Sequence, residues 1–135
     1  MANAVYPKFK AACIRGGANT NLVTGPVKVV LVADGYTYSV THEFLSDIPA
    51  VDQAAISGAL AGCAVSDAGA FTSSNGNFTS VTSTEDKALV LFVDTGVQST
   101  SRLIAYLDTS VTGLPVTPAG AGYNIIADPT GWFVL

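Results

Sequence analysis

Apolar residues in this chain come in short bursts separated by Ser, Thr, Asn and Gly, not at the three-and-four spacing of long helices, so most of the pattern predicts strands. The exception lies near the start. In "VYPKFKAACIRGG", Val5, Phe9 and Cys13 recur every four residues, Pro7 suits the first helical position, and Gly16-Gly17 stops the run. A strand is predicted over Val27 to Ala33 in "PVKVVLVADGYTYSV", followed by a turn and an alternation of Tyr36, Tyr38 and Val40. "THEFLSDIP" predicts one helical turn starting at Thr41 and closed by Pro49. From Ala54 to Val65, "AAISGALAGCAV" reads either as a weak helix or as small-residue strands. Gly58 and Gly62 would each cost a helix roughly 1 kcal/mol, which favours strands. Asn75-Gly76, flanked by Phe71 and Phe78, predicts a hairpin. "ALVLFVD", "SRLIAYLD" and "YNIIAD" are further strands, and "GWFVL" is a last one after a turn at Pro129-Thr130-Gly131.

Many short strands with little helix predict a mainly β chain, a β-sandwich or barrel of short antiparallel strands with a short N-terminal helix. Residues 1–135 are expected to form a single domain, large enough to bury roughly two thirds of the surface its unfolded form exposes. Strands preceding Asp94-Thr95 and Asp108-Thr109 echo each other, as adjacent hairpin strands would if each Asp-Thr pair starts a turn. "TGLPVTPAGAGY", ending at Tyr123, reads as a surface loop or extended arm.

Composition changes the picture more than any motif. Charged residues make up 12 % of the chain against about 25 % in ordinary soluble domains, while 49 % is hydrophobic. The remaining polar positions are filled by Ser, Thr, Asn and Gly, which desolvate more cheaply than Lys or Glu. Depletion of charge marks surface that becomes the core of an interface. The net charge of −4 and six dispersed cations argue against a nucleic-acid partner. No apolar run approaches the length of a membrane span, and "MANAVYPKFK" lacks the apolar core of a secretory signal, so synthesis in the cytoplasm is expected. Cys13 and Cys63 have no neighbouring ligand residues and read as reduced, buried thiols.

The stretch "LVLFVDTG" has the form of an aspartic-protease loop, with Asp94 as the carboxylate. The second half of that constellation is missing. The C-terminal region reads "NIIADPTGWFVL" where a retroviral-type enzyme carries an aliphatic pair followed by Gly and Arg or Asn, and two thirds of the chain precedes Asp94 where such enzymes place it early. His42 is the only histidine and no Gly-x-Ser-x-Gly elbow accompanies it. No catalytic residue, metal ligand or cofactor site is assigned, and the chain is expected not to be an enzyme.

The succession "AVYPKFK", "VKVVLVADGYTYSVTHEFLSDIPA", "ALVLFVDTG" and "TSRLIAYLDTSVTGLPVTP", with the hydrophobic C-terminal end, resembles small virion structural proteins of tailed bacteriophages. The resemblance implies a protein made in the host cytoplasm and built into the virion in many copies. A capsid decoration, or cement, protein bridging major capsid subunits, and itself homo-oligomeric, is the leading expectation. A tail component (tube, terminator or fibre-associated subunit) and a carbohydrate-binding surface module are the alternatives. Tyr6, Phe9, Tyr123 and Trp132 are the candidate interface anchors, because exposed aromatics dominate interface energetics.

Overall fold

The structure is a computed structural model that describes residues 4–74, 76–78, 86–108, 123–125 and 132–134. In chain order the elements are β1 (Ala4–Val5), α1 (Pro7–Arg15), β2 (Val27–Ala33), two single 3-10 turns (Leu45–Asp47 and Ala50–Asp52), β3 (Gln53–Ile56), β4 (Ala64–Val65), β5 (Ala70–Thr72), β6 (Gly76–Phe78), β7 (Asp86–Val93), β8 (Arg102–Leu107), β9 (Tyr123–Ile125) and β10 (Phe133–Val134). The protein is mainly β, as its patterning predicts, and all described strand pairs are antiparallel.

The central sheet has the order β1-β8-β7-β2-β3. It is open, with β1 and β3 as its edges, so the sandwich-like alternative holds and the barrel does not. From Ala88 to Val93 every side chain of β7 is buried. Successive strand residues point to opposite faces, so both faces of this sheet are covered, which explains why the segment reads as a continuous apolar run instead of an alternation. Phe9 of α1, Leu45, Ile48, Phe71 and Phe78 join β2, β7 and β8 in one contiguous core.

The first helix forms where its sequence places it. Pro7 opens it, and Gly16 closes it in the left-handed conformation at φ 68°, which glycine adopts without strain. Its buried residues are Phe9 and Ala12. β7 and β8 form the adjacent pair that the Asp-Thr echo predicts, yet being antiparallel they put Asp94 and Asp108 at opposite ends of the sheet.

Three local expectations are corrected. Tyr36, Tyr38 and Val40 form no strand: Tyr36 turns inward and is buried, and Val40 is exposed. The helical turn near Thr41 begins at Leu45, because the Asp47 carboxylate accepts from the backbone N–H of Glu43 at 2.7 Å and Phe44 at 3.0 Å and fixes the turn there. β5 and β6 do not pair with each other across Asn75-Gly76. β5 pairs with β4 and β10, and β6 with β9. Tertiary packing wins over the turn signal here, since pairing with β10 sets the Phe71 and Phe133 rings 5.8 Å apart. The expected turn at 129–131 and most of the "TGLPVTPAGAGY" loop lie outside the described residues.

Candidate interaction surface

Two of the sequence-derived anchors are set by the start of the chain. β1 docks on β8, and the Tyr6 N–H continues that ladder by donating to the Ile104 carbonyl at 2.9 Å. This drives Tyr6 and Phe9 inward, to 0 % and 1 % exposure. Trp132 is 7 % exposed, with its backbone N–H on the Phe71 carbonyl and its indole N–H donating to Ser73 Oγ at 2.6 Å. All three aromatics are therefore core side chains of this chain, not free anchors on its surface. Burying a large ring gains more than exposing it, and each polar tip finds an internal partner. Tyr123 lies in β9 opposite Phe78, and its side chain falls outside the described residues.

Tyr6 opens a buried polar chain. Its hydroxyl lies 2.8 Å from the Tyr36 hydroxyl, which lies 2.8 Å from His42 Nδ1. Tyr38 and Tyr106 pack beside it, with ring centroids 5.0 Å from Tyr6 to Tyr38 and 6.1 Å from Tyr36 to Tyr106. Burial, reinforced by the neighbouring tyrosines, pushes the Tyr6 hydroxyl far above its ordinary range, and burial pushes Tyr36 up to about 12. These hydroxyls are neutral structural links. His42 is thereby a hydrogen-bond partner of a core tyrosine.

Asp94 ends β7 in a turn. One carboxylate oxygen is 2.8 Å from Lys28 Nζ, and the other accepts the Gly96 N–H at 3.0 Å. The Lys28 ammonium and the Gly96 N–H hold the carboxyl below the ordinary carboxylate range. A carboxylate so paired stays ionised, unlike the proton-sharing dyad an aspartic protease requires. Burial raises the thiol pKa of Cys13 and of Cys63, whose Sγ donates to the Leu60 carbonyl at 3.3 Å; both cysteines are free. Among the described residues no three His, Cys, Asp or Glu side chains gather as a metal site, and no helix is long and apolar enough to cross a membrane.

Two concave features stand out among the described residues. The first is an apolar groove of about 310 Å³ between α1 and the β4-β5-β10 sheet. Phe9, Leu22, Phe71 and Phe133 line it, and the exposed side chains of Val23 and Val65 stand at its margin. β4 is the outer strand of its sheet among the described strands, and its Val65 lines this groove. The second is a cleft of about 280 Å³ lined by Lys8, Arg15, Arg102 and Glu43. Arg102 is 8 % exposed and held in place: Nε donates to the Ala18 carbonyl at 2.9 Å, Nη1 meets Glu43 Oε1 at 3.1 Å, and the guanidinium lies 5.1 Å from the Phe44 ring centroid.

Sequence reasoning looked for aromatic anchors and missed the aliphatic ones. Ile14, Val23, Val40, Val51, Ile56, Val65 and Val97 are all exposed. Ile14 could have been found from its position off the Val5, Phe9, Cys13 stripe. Val23 and Val65 carry no signal in one dimension, because their exposure depends on which strands pair. No protein-family model matches the chain, and a search of curated proteins finds no match.

Proposed function

We propose that this chain is a non-enzymatic assembly protein of a bacteriophage virion, most specifically a capsid decoration protein that bridges major capsid subunits and stabilises the head. The observation that carries the reading is the pairing of a charge-poor composition with two exposed aliphatic side chains, Val23 and Val65, at the apolar groove. Val23 and Val65 leave apolar surface in water beside a concavity that no charged side chain lines among the described residues. Such surface is stabilised when a partner covers it. The resemblance in the strings "VKVVLVADGYTYSVTHEFLSDIPA" and "TSRLIAYLDTSVTGLPVTP" supports the virion as the setting. A component that binds only the assembled lattice stabilises that lattice by mass action.

A carbohydrate-binding module would need Trp132 and the tyrosines as exposed stacking platforms for sugar rings, and of these Trp132, Tyr6, Tyr36 and Tyr106 are buried. A tail subunit would use the same surface in a ring. Sedimentation of the purified chain with assembled, undecorated shells tests the head assignment. Saturable binding in many copies per shell is expected, together with a higher temperature of shell disruption. Binding confined to tails, or to no particle, contradicts it.

A further inference from the structure

We propose that copies of this chain associate head to tail, the acidic end of the central sheet in one copy seating against the basic cleft beside α1 in the next. The cations of this acidic protein are unevenly placed. Of its six, Lys8, Lys10 and Arg15 lie on α1, and Arg102 lines the same cleft as Lys8 and Arg15. Glu43 pairs with Arg102, and Asp47, held by two backbone N–H groups, keeps its charge and feels that of Lys8, so the cleft is positive by the excess of Lys8, Arg15 and Arg102 over these two carboxylates. Neither Lys8 nor Arg15 has an ion-pair partner among the described residues.

The opposite end of the sheet carries the complement. Asp34 follows the last residue of β2, Asp86 opens β7 opposite Ala33, and Asp108 follows the last residue of β8. The Asp52 carboxylate reaches the same end, 2.9 Å from where a Cβ on Gly35 would sit. Three of these carboxylates have described side chains: Asp34 is exposed, and Asp52 and Asp108 are half-buried, with Asp108 hydrogen-bonded to Tyr106. Beyond its own burial, Tyr106 feels the charges of Asp108 and Asp34, which help push its hydroxyl up to about 12.

The six residues of β8, from Arg102 to Leu107, span about 20 Å at roughly 3.3 Å per residue. That exceeds the screening length of about 10 Å at moderate salt, so the two ends act as separate charges of opposite sign. Each end also presents an aliphatic side chain to water. Ile14, beside Arg15, and Val51, beside Asp52, are each 87 % exposed, the highest values among the exposed large hydrophobic residues described. Charge complementarity would orient the approach. Because the two surfaces differ, the contact is heterologous and repeats into a ring or a filament. Its biological use rests on the assembly reading above; its test does not.

Sedimentation velocity at low and high ionic strength, on wild type, a Lys8→Glu/Arg15→Glu variant, an Asp34→Lys variant and an equimolar mixture of the two variants, decides it. The substituted side chains are exposed, and circular dichroism checks that each variant folds. Wild type is expected to associate at low salt and to dissociate as salt rises. Each variant should show a dissociation constant at least about tenfold higher, the scale of a lost close charge pair at an interface. The mixture should regain a dimer, because one variant keeps the acidic end and the other keeps the cleft. A wild type that stays monomeric at low salt, association indifferent to salt and to both charge reversals, or a mixture that regains nothing overturns the head-to-tail contact. Wild-type salt dependence alone still decides if a variant fails to fold. A monomer that nevertheless binds shells overturns this contact and leaves the assembly reading standing; a salt-sensitive oligomer that binds no particle does the reverse.

Discussion

β7 and β4 are both strands, and they differ in everything that holds a strand in place. β7 pairs along its length with β2 and with β8, and its side chains from Ala88 to Val93 are no more than 1 % exposed. β4 is two residues long, pairs only with β5 among the described strands, and exposes both Ala64 and Val65. Burial and pairing in β7 commit it to the fold. Beyond its pairing with β5, the exposed side chains of β4 meet little else among the described residues, which suits them to serve as contact surface. The difference separates residues that keep the protein folded from residues that it presents to others.

The sharpest way to break the comparison is to truncate a side chain in each strand. Leu91→Ala in β7 should cost about 3 kcal/mol in urea unfolding, through lost burial and the cavity left behind. Val65→Ala in β4 should cost less than about 0.5 kcal/mol. Similar costs at both positions would show that β4 is as tightly bound to the core as β7.

A smaller effect is expected at the polar links between the sheet and the segments around it. Tyr6→Phe removes one hydroxyl from the chain of Tyr6, Tyr36 and His42 and should cost about 1–2 kcal/mol, because Tyr36 loses a buried partner. Trp132→Phe leaves the Ser73 hydroxyl without its indole donor and should cost about 1 kcal/mol beyond the change in ring size. Equilibrium unfolding measures both, and a neutral Tyr6→Phe would mean that the hydroxyl chain adds nothing to stability.

Weaker still is the turn after β7. Asp94 is held below the ordinary carboxylate range by the Lys28 ammonium and the Gly96 N–H. At Asp47 partial burial pushes the other way, but the N–H groups of Phe44 and Glu43 outweigh it and lower that carboxyl too. Both folded-state pKa values lie below the unfolded ones. The stability they supply is therefore present above about pH 4, the ordinary carboxylate range, and is lost as pH falls through the lower folded values. Asp94→Asn should cost less than about 1 kcal/mol near neutrality, as expected of a partly exposed pair, and should flatten the acid limb of the stability curve. An acid limb unchanged by the substitution would remove Asp94 from the account. The least effect on folding is expected from Val23→Ser with Val65→Ser: unfolding should be nearly unchanged while binding to shells falls. Binding left intact would move the contact surface away from the groove.

Legibility followed the same division. β2 was readable to the residue because Val27 to Ala33 is β-branched and apolar on both faces, and α1 because Pro7 and Gly16 mark its ends with backbone chemistry. The partners of β5 and β6 were not readable. Asn75-Gly76 favours a local hairpin, but the Phe71 ring gains more against Phe133, which lies far along the chain. The candidate surface was legible in bulk, as a shortage of charge, and illegible in place. Tyr6, Phe9 and Trp132 attracted attention as large aromatics, and size drew them into the core. Val23 and Val65 look like core residues in sequence, and only the placement of β4 at a sheet edge leaves Val65 outside.

Hydroxyl-radical footprinting of the chain free and bound in whole particles tests the central claim most directly. Val23 and Val65 should be labelled in the free chain and protected in the particle, while the already buried Leu91 stays unlabelled in both. Equal labelling of Val23 and Val65 in the two states would contradict the claim that this charge-poor surface meets protein in its working state.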